Sequence, residues 1–288
     1  MHNNQLTKII QQSIGNSTKI SSWHTVGGGC INQCYQLVTA DQVYFVKCNG
    51  LRYLDMFEKE HQGLEALIAN GNLLVPKPIN SGIVEGSSYL IMEFIESSTP
   101  ATYYWEGLGE GLANLHRQTK DQFGWVSDNY IGRLPQSNHW HQSWNDFYIQ
   151  ERLQPQIRMA TDSQILPPDV QKNLEQFCAR LDQFIIHESP AFLHGDLWSG
   201  NVMTGPLGEP CVMDPAVYYG HREIELAFTK LFGGFDEKFY EAYNQSYPLA
   251  AEYQQRFDIY NIYPLLVHLN LFGSSYLGGI RQILRTYL

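Results

Sequence analysis

Cysteine is scarce in this chain of 288 residues, and long apolar runs are missing from it. The five cysteines form an odd set with no CxxC pair, which argues against both a disulfide framework and a zinc site. No apolar run approaches the roughly 20 residues needed to span a bilayer. The polar start, MHNNQLTKII, lacks the apolar stretch of a signal peptide. We therefore expect a cytoplasmic protein with no membrane partner.

Basic residues are also few, with 19 Lys and Arg against 29 Asp and Glu, a net charge of −10. They are scattered along the chain, and an acidic surface repels phosphate backbones, so no nucleic-acid partner is expected. Apolar residues make up 43% of the chain, enough for a sizeable core. Aromatic residues, at 13%, suit that core and also surfaces on which sugars or bases stack.

The first hundred residues have the pattern of strands around a single helix. Three glycines, Gly27, Gly28 and Gly29, precede two β-like runs at 34–39 and 43–48, which predict a hairpin. Two further strand-like runs lie near 83–84 and 89–95. These patterns predict a small β-rich lobe.

Residues 56–69 have the spacing of an amphipathic helix, and its apolar stripe contains a carboxylate. Glu60 lies three residues after Phe57 and four before Leu64, while Leu67 and Ile68 complete the stripe. A buried carboxylate is costly unless a cation pairs with it. Glu60 therefore predicts a positively charged partner elsewhere in the chain.

The pattern becomes helical after a short linker at 97–100. Helices are predicted from about residue 103 and near 139–159, 169–187, 223–232, 236–245 and 256–272, with short strands between 192 and 214. The predicted fold class is α+β with two lobes: residues 1–97 form a small β-rich lobe and 98–288 a larger helical lobe.

Polar residues with the spacing HxDxxxxN follow a short apolar strand at 192–193. They are His194, Asp196 and Asn201, and Asp214 comes thirteen residues later. This spacing is similar to the catalytic loop and metal-binding aspartate of protein kinases. Asn201 and Asp214 offer oxygen ligands for Mg²⁺, and Asp196 offers a carboxylate to receive the proton of an acceptor hydroxyl.

Each of these signals has a simpler explanation when it is taken alone. The polar segment could be a turn between strands, the glycines a hairpin turn, and Lys47 a solvated residue at a strand end. Together they occur in the order that a kinase requires: a glycine loop, then Lys47, then Glu60 as its partner, and then the HxDxxxxN segment. The combination predicts a protein-kinase-like fold in which residues 1–97 form the nucleotide-binding lobe and 98–288 the catalytic and acceptor-binding lobe.

Longer stretches make the resemblance more specific. They read GGGCIN at 27–32, FVK at 45–47, HGDLWSGN at 194–201 and DPAVYYGHRE at 214–223, with further matches between 123 and 140. The chain thus resembles the fructosamine-kinase (ketosamine-3-kinase) family, which shares its fold with aminoglycoside phosphotransferases and choline kinases. The likeness runs from about residue 22 to the end of the chain. One departure is Glu225, where much of the superfamily has aspartate.

The resemblance implies an ATP- and Mg²⁺-dependent kinase that phosphorylates the sugar 3-hydroxyl of ketosamines, the products of amine glycation. The phosphorylated product is unstable and sheds the sugar, which repairs the amine. By the same likeness Phe45 lines the adenine pocket. The segment beside adenine consists of Met92, Glu93, Phe94 and Ile95. Family members of the simpler kind favour ribulosamine or erythrulosamine over fructosamine.

The acceptor side is predicted from aromatic and amide residues. Trp198 could stack on the sugar, and Asn138 and Trp140 could form a wall of the pocket, although core packing is an alternative for both tryptophans. Cys30 follows the glycines, so it could be a redox control point that links two molecules, or simply a small apolar residue under the loop. The chain would then be a monomer or a disulfide-linked dimer.

Two rival functions remain at this point. The chain could phosphorylate another hydroxylated amine, such as an aminoglycoside, since an acidic protein suits a polycationic acceptor. It could also be a non-catalytic nucleotide-binding scaffold. The DLWSGN and DPAVYYG stretches argue against the first rival, and the complete set of catalytic side chains argues against the second.

Overall fold

The computed structural model describes residues 3–27 and 32–288, which form two compact units. The first comprises the described part of Met1–Ala69 together with Leu73–Tyr104 and Met203–Pro215. The second comprises Asn70–Asn72, Trp105–Val202 and Ala216–Leu288. The functional division after residue 97 stays a prediction, because a compact unit need not coincide with a functional lobe.

The first unit is built on a five-stranded antiparallel sheet. Its strands are β1 (Ile20–Val26), β2 (Gln33–Thr39), β3 (Val43–Gly50), β4 (Pro78–Val84) and β5 (Ser87–Glu93), in the order β1-β2-β3-β5-β4. The predicted hairpin is confirmed as β2 and β3. Helix α1 (Asn3–Ser13) covers one face, where Leu6 and Ile10 pack with Leu37 and Val46 in the core. Alternating apolar side chains in β2 and β3 create that buried face.

Helix α2 (Leu54–Asn70) confirms most of the predicted apolar stripe. Phe57, Leu64 and Leu67 are buried, but Ile68 is 44% exposed, so its assignment to the stripe was wrong. At 100° per residue the buried arc is centred between Glu60 and Leu67, and Ile68 falls at its edge. Glu60 therefore lies in the middle of the buried face.

The remainder of the chain is mainly helical. The helices are α3 (Tyr104–His116), α4 (Trp144–Phe147), α5 (Gln154–Asp162), α6 (Pro168–Cys178), α7 (Glu223–Leu231), α8 (Glu237–Ser246), α9 (Tyr253–Phe272) and α10 (Leu277–Tyr287). Short antiparallel pairs join β6 (Asn129–Ile131) to β7 (Leu134–Gln136) and β8 (Ala191–Leu193) to β11 (Tyr218–Gly220). Strands β9 (Val202–Thr204) and β10 (Pro210–Val212) also pair, largely within the first unit. Throughout the described ranges, every helix is too short or too polar to cross a membrane.

Two predicted helices have different ends in the structure. The helix predicted near 139–159 begins only at Trp144, because His141 still pairs with Phe123 in an extended bridge. A π-helical turn, Tyr148–Leu153, then separates α4 from α5. The helix predicted over 169–187 stops at Cys178 and is followed by a single 3₁₀ turn.

Candidate active site

A buried lysine and two carboxylates form a cluster in the first unit. Lys47 lies on β3, and its Nζ donates to Oε1 of Glu60 on α2 at 2.7 Å and to Oδ1 of Asp214 at 2.5 Å. The side chains of Lys47 and Glu60 are 7% and 13% exposed, whereas that of Asp214 is 45% exposed. The contact predicted between Lys47 and Glu60 is present, and Asp214 is a third member of the cluster.

Close packing of α2 against the segment after β10 brings both carboxylates to one lysine. Gly63 lies on α2 three residues after Glu60, and a Cβ at residue 63 would lie 3.1 Å from Cγ of Pro215. A larger residue there would push Pro215, and Asp214 with it, away from the helix. Asp214 has a left-handed backbone with φ of 57°. Such strained positions cluster at functional sites.

Electrostatic interactions keep Lys47 charged, and the environment of Glu60 shifts the pKa of its carboxyl group. Burial alone lowers the pKa of Lys47, but attraction to Asp214 and Glu60 outweighs burial, so the net shift is upward. Burial raises the pKa of Glu60 to about 7, with Lys47 opposing the rise and Asp214 adding to it. One lysine does not neutralise two carboxylates, and the surplus negative charge favours a cation beside Asp214.

The predicted adenine segment runs from the end of β5 into extended chain. Its residues are Met92, Glu93, Phe94 and Ile95. The N–H groups of Glu93 and Phe94 donate to carbonyls of the first unit, at 2.9 and 3.3 Å. Phe45 lies opposite Met92 in the β3–β5 register, and it shares a face of β3 with Lys47 because the two are two residues apart.

Only the first residue of the predicted glycine loop is described. Gly27 follows β1, and a Cβ there would meet nothing within 4 Å. Gly28, Gly29 and Cys30 lie outside the described residues. Phosphate binding by the loop and redox control at Cys30 therefore stay predictions.

The HxDxxxxN loop follows β8 in the second unit and is held by its own side chains. Asn201 Nδ2 donates to the backbone oxygen of Asp196 at 2.8 Å and to its Oδ2 at 3.1 Å. Gly195 has φ of 84°, and a Cβ there would lie 2.0 Å from the carbonyl oxygen of Ala216, so only glycine fits. These contacts orient the Asp196 carboxylate. They also leave Oδ1 as the Asn201 atom that could face a cation.

Glu225, on α7, braces the same loop. Its Oε2 accepts from the N–H of His194 at 3.0 Å, and its Oε1 accepts from the N–H of Gly195 at 2.6 Å. Oε2 also lies 2.9 Å from Nε2 of His116. Burial raises the pKa of Glu225, but these partners outweigh burial and the net shift is downward. The sequence analysis identified Glu225 only as a departure from the superfamily. Like Glu60, however, it is an acidic residue among the apolar residues of a helix (EIELAF at 223–228), a pattern that predicts a buried carboxylate with a partner.

The two predicted acceptor tryptophans are both partly exposed. Trp198 is 40% exposed, and its ring covers Gly200 so closely that a Cβ at residue 200 would lie 2.2 Å from the indole. Trp140 is 37% exposed, and its ring centroid is 6.4 Å from that of Tyr219. The structure thus places an accessible aromatic ring two residues after Asp196.

Asn138 belongs to a buried polar network that sequence reasoning missed. The residue is 1% exposed, its Nδ2 donates to Asn129 Oδ1 at 3.0 Å, and its Oδ1 accepts from Arg152 Nη2 at 2.7 Å. Arg152 is fully buried, with its guanidinium 4.0 Å from the Tyr218 ring centroid. Contact between Asn138 and the acceptor stays a prediction, and its position favours a supporting role.

Comparison with known proteins decides the family. A model described as fructosamine kinase matches residues 2–288. The chain belongs to the fructosamine kinase family. The family and enzyme class predicted from the sequence, a kinase that transfers a phosphoryl group, are therefore confirmed, and ATP is the phosphoryl donor that the family implies.

Relatives of this fructosamine kinase family member cover nearly its whole length. A protein of Synechocystis sp., named a probable ketoamine kinase, is 41% identical over 97% of this chain and 94% of the relative. The chloroplastic protein-ribulosamine 3-kinase of Arabidopsis thaliana is 40% identical over 95% of this chain and 85% of the relative.

Solved structures confirm the kinase-like α+β fold. A crystal structure from Haemophilus somnus 129PT, assigned as a fructosamine-3-kinase, has a TM-score of 0.90 with 27% identity and covers 99% of this chain and 97% of that one. An aminoglycoside phosphotransferase solved with AMP-PNP and hygromycin B has a TM-score of 0.65 with 17% identity, covering 98% of both chains. The second likeness concerns the fold alone.

Proposed function

We propose that the protein transfers the γ-phosphoryl group of ATP to the sugar 3-hydroxyl of a ketosamine, with ribulosamine or erythrulosamine preferred over fructosamine. The Lys47 cluster carries the proposal. A buried lysine held by a helix carboxylate is the arrangement with which kinase-like folds grip nucleotide phosphates. The names of the plant and cyanobacterial relatives support the acceptor class.

On the nucleotide side, Lys47 is held in place by Glu60 while part of its charge remains available to phosphate oxygens. The half-exposed Asp214 supports this, because a ligand can replace an accessible partner more easily than a buried one. Phe45 and the 92–95 segment line the adenine pocket, and backbone groups of Glu93 and Ile95 bind the base. Gly27, Gly28 and Gly29 complete the phosphate site.

Asn201 and Asp214 are the proposed Mg²⁺ ligands, and their chemistry fits the ion. Both offer side-chain oxygens, which Mg²⁺ prefers, and Asp214 belongs to a cluster with surplus negative charge. When bound, the ion neutralises phosphate charge that develops during transfer. Asn201 at the same time keeps the Asp196 carboxylate oriented.

On the acceptor side, Asp196 orients the 3-hydroxyl and receives its proton, a task for which a carboxylate must be positioned before the reaction. Trp198 packs against the C–H face of the sugar, and Trp140 and Asn138 help to shape the pocket. Loss of the sugar from the 3-phosphate would release the original amine. The acceptor is a ketosamine on a small molecule or on a protein.

A comparative kinase assay tests the proposal. ADP release is measured with ribulosamine, erythrulosamine, fructosamine and an aminoglycoside, and the phosphorylated carbon is located by NMR. We expect turnover on ketosamines, phosphate at the 3-position, and the highest kcat/KM for ribulosamine or erythrulosamine. Phosphorylation of the aminoglycoside alone, or ADP release that does not depend on acceptor, would overturn it. Asp196→Asn is the inactive control.

A further inference from the structure

An exposed aromatic surface lies at the end of α9 in the second unit. Phe232 and Phe272 are 41% and 61% exposed. Both rings pack against His268, at centroid distances of 4.6 and 5.4 Å, and Tyr276 joins them at 5.1 Å. Phe228 packs below, 5.8 Å from Phe232. We call Phe232, His268, Phe272 and Tyr276 the aromatic surface.

The aromatic surface is rigidly built. The Nδ1–H of His268 donates to the carbonyl of Pro264 at 2.8 Å, which sets the orientation of the imidazole that the other rings contact. Gly273, with φ of 95°, ends α9 directly after Phe272. Rings held in place before binding lose little conformational freedom when a partner covers them. Contiguous exposed apolar patches of this kind usually mark interaction sites.

The aromatic surface lies near the proposed acceptor site. Gly234 lies two residues after Phe232, and a Cβ on it would be 2.6 Å from Cβ of Ser199, the neighbour of Trp198. Because successive Cα atoms are 3.8 Å apart, the Cα atoms of Phe232 and Trp198 lie within about 17 Å of each other. About five residues of extended peptide span that distance.

Charged side chains beside the surface are already engaged. Lys230 Nζ donates to Glu237 and lies 3.7 Å from the Tyr240 ring centroid, and Arg133 donates to the carbonyl of Leu271. The aromatic surface therefore suits an apolar or aromatic group rather than an anion. A free ketosamine has no neighbouring residue that could place such a group on the aromatic surface.

We infer that the aromatic surface is a docking site for an apolar side chain of the acceptor polypeptide, within about five residues of the glycated lysine. The inference rests on the proposed function and deepens it. Protein-bound ketosamines would gain affinity from this contact, whereas free ketosamines would not. Preference among glycated lysines would then depend on their sequence neighbours as well as on the sugar.

The test compares two acceptors that carry the same sugar. One is a peptide with a single ribulosamine-modified lysine and phenylalanine four residues away, and the other is free Nα-acetyl-lysine ribulosamine. Phe272→Ala and Phe232→Ala should each raise KM for the peptide about 5- to 30-fold. Both should leave kcat, the KM for ATP and the KM for the free acceptor within about two-fold. Val126→Ala, at a residue 73% exposed in the same unit, is the matched control.

Direct binding separates this inference from the proposed function. Fluorescence anisotropy of the labelled peptide, without ATP, should show weaker binding to both phenylalanine variants. If the wild type binds the peptide in this way but phosphorylates neither acceptor, the proposed function fails and the docking site stands.

Three results would overturn the docking site. One is an equal rise in KM for peptide and free acceptor, which would make the aromatic surface a support for the sugar site. Another is unchanged peptide KM and unchanged anisotropy in both variants. The third is a wild type that sediments as a dimer while Phe272→Ala is monomeric with unaltered peptide KM, because a second copy would then be the occupant.

Discussion

Glu60 in the first unit and Glu225 in the second are both shielded from solvent, and their pKa values move in opposite directions. Glu60 shares a single cation, Lys47, with Asp214, and burial raises its pKa to about 7. Glu225 meets two backbone N–H groups and a histidine, and these partners hold its pKa below the usual range in spite of burial. Burial alone therefore does not decide the state of a carboxylate; the number and type of its partners do.

The difference distinguishes a ligand-binding cluster around Glu60 from a structural support at Glu225, which we call the brace. The Glu60 cluster is incompletely neutralised and includes the accessible Asp214, so a bound nucleotide and cation can complete it. Glu225 has its partners within the protein, and it holds the backbone of His194 and Gly195 directly before Asp196. Changes around Glu60 should alter nucleotide affinity, whereas changes around Glu225 should alter turnover and stability.

The largest effect is expected at Asp196, in the loop that Glu225 supports. Asp196→Asn should lower kcat by about 10²- to 10⁴-fold, because the amide cannot receive the proton of the acceptor hydroxyl. The dissociation constant for ATP should stay within about two-fold, as measured by calorimetry. A variant with turnover within a few-fold of wild type would remove Asp196 from this role.

Loss of the brace should come next. Glu225→Ala leaves the N–H groups of His194 and Gly195 without their acceptors, which should lower the free energy of unfolding by about 2–5 kcal/mol. The loop would also lose its position, so kcat should fall about 10- to 100-fold. Urea denaturation and steady-state kinetics measure both effects.

Glu225→Gln is the matched control for the brace, since it keeps one acceptor oxygen and nearly the same volume. Its losses should lie between those of wild type and Glu225→Ala. A folded alanine variant with unaltered kcat would show that Glu225 is needed for stability alone.

Variants of Lys47 and Glu60 should have smaller effects on activity, and those effects should be coupled to each other. Lys47→Ala and Glu60→Ala should each reduce kcat/KM for ATP, and the double variant should lose less than the product of the two. We expect a coupling energy of about 0.5–3 kcal/mol, as for residues in direct contact. A double-mutant cycle measures it, and strict additivity would contradict direct pairing in the working enzyme.

The smallest effect is expected at Gly200, which lies under the Trp198 ring. Gly200→Ala should displace the indole and raise the acceptor KM a few-fold, as should Trp198→Ala, with little change in the KM for ATP. Gly278→Ala is the control, because a Cβ there meets nothing within 4 Å. An unchanged acceptor KM in both active-site variants would make Trp198 a packing residue.

The sequence predicted structure correctly where a local pattern of residues has a direct physical requirement. A carboxylate in the middle of an apolar helix stripe requires a cation, and this alone predicted that Glu60 has a charged partner. The alternation of 34–39 and 43–48 likewise predicted the β2–β3 hairpin. Both inferences depend only on the spacing of apolar residues within one helix or one hairpin.

Contacts between distant parts of the chain escaped sequence reasoning. Asp214 is 167 residues from Lys47, and nothing in its surroundings predicts a shared lysine. Arg152 lies in a helical run without distinctive spacing, yet it is fully buried against Asn138 and Tyr218. The helix at Trp144 starts late for a similar reason, since the bridge between His141 and Phe123 is set by the fold.

The contrast between the two glutamates is tested most directly by the pH dependence of stability. The free energy of unfolding is measured between pH 3.5 and 8 for wild type, Glu60→Gln and Glu225→Gln. Because the pKa of Glu60 is raised, its stabilising contribution is present below about pH 4.5 and lost as the pH rises through about 7. Because the pKa of Glu225 is lowered, its contribution is present above about pH 4.5 and lost as the pH falls further.

Relative to Glu60→Gln, the wild type should therefore lose stability as the pH rises from 5 to 7.5. Relative to Glu225→Gln, it should lose stability as the pH falls below 4.5. Opposite slopes in these two difference curves are the predicted result. Slopes of the same sign, or two flat curves, would contradict the assignment of Glu60 to an incomplete ligand site and of Glu225 to a brace.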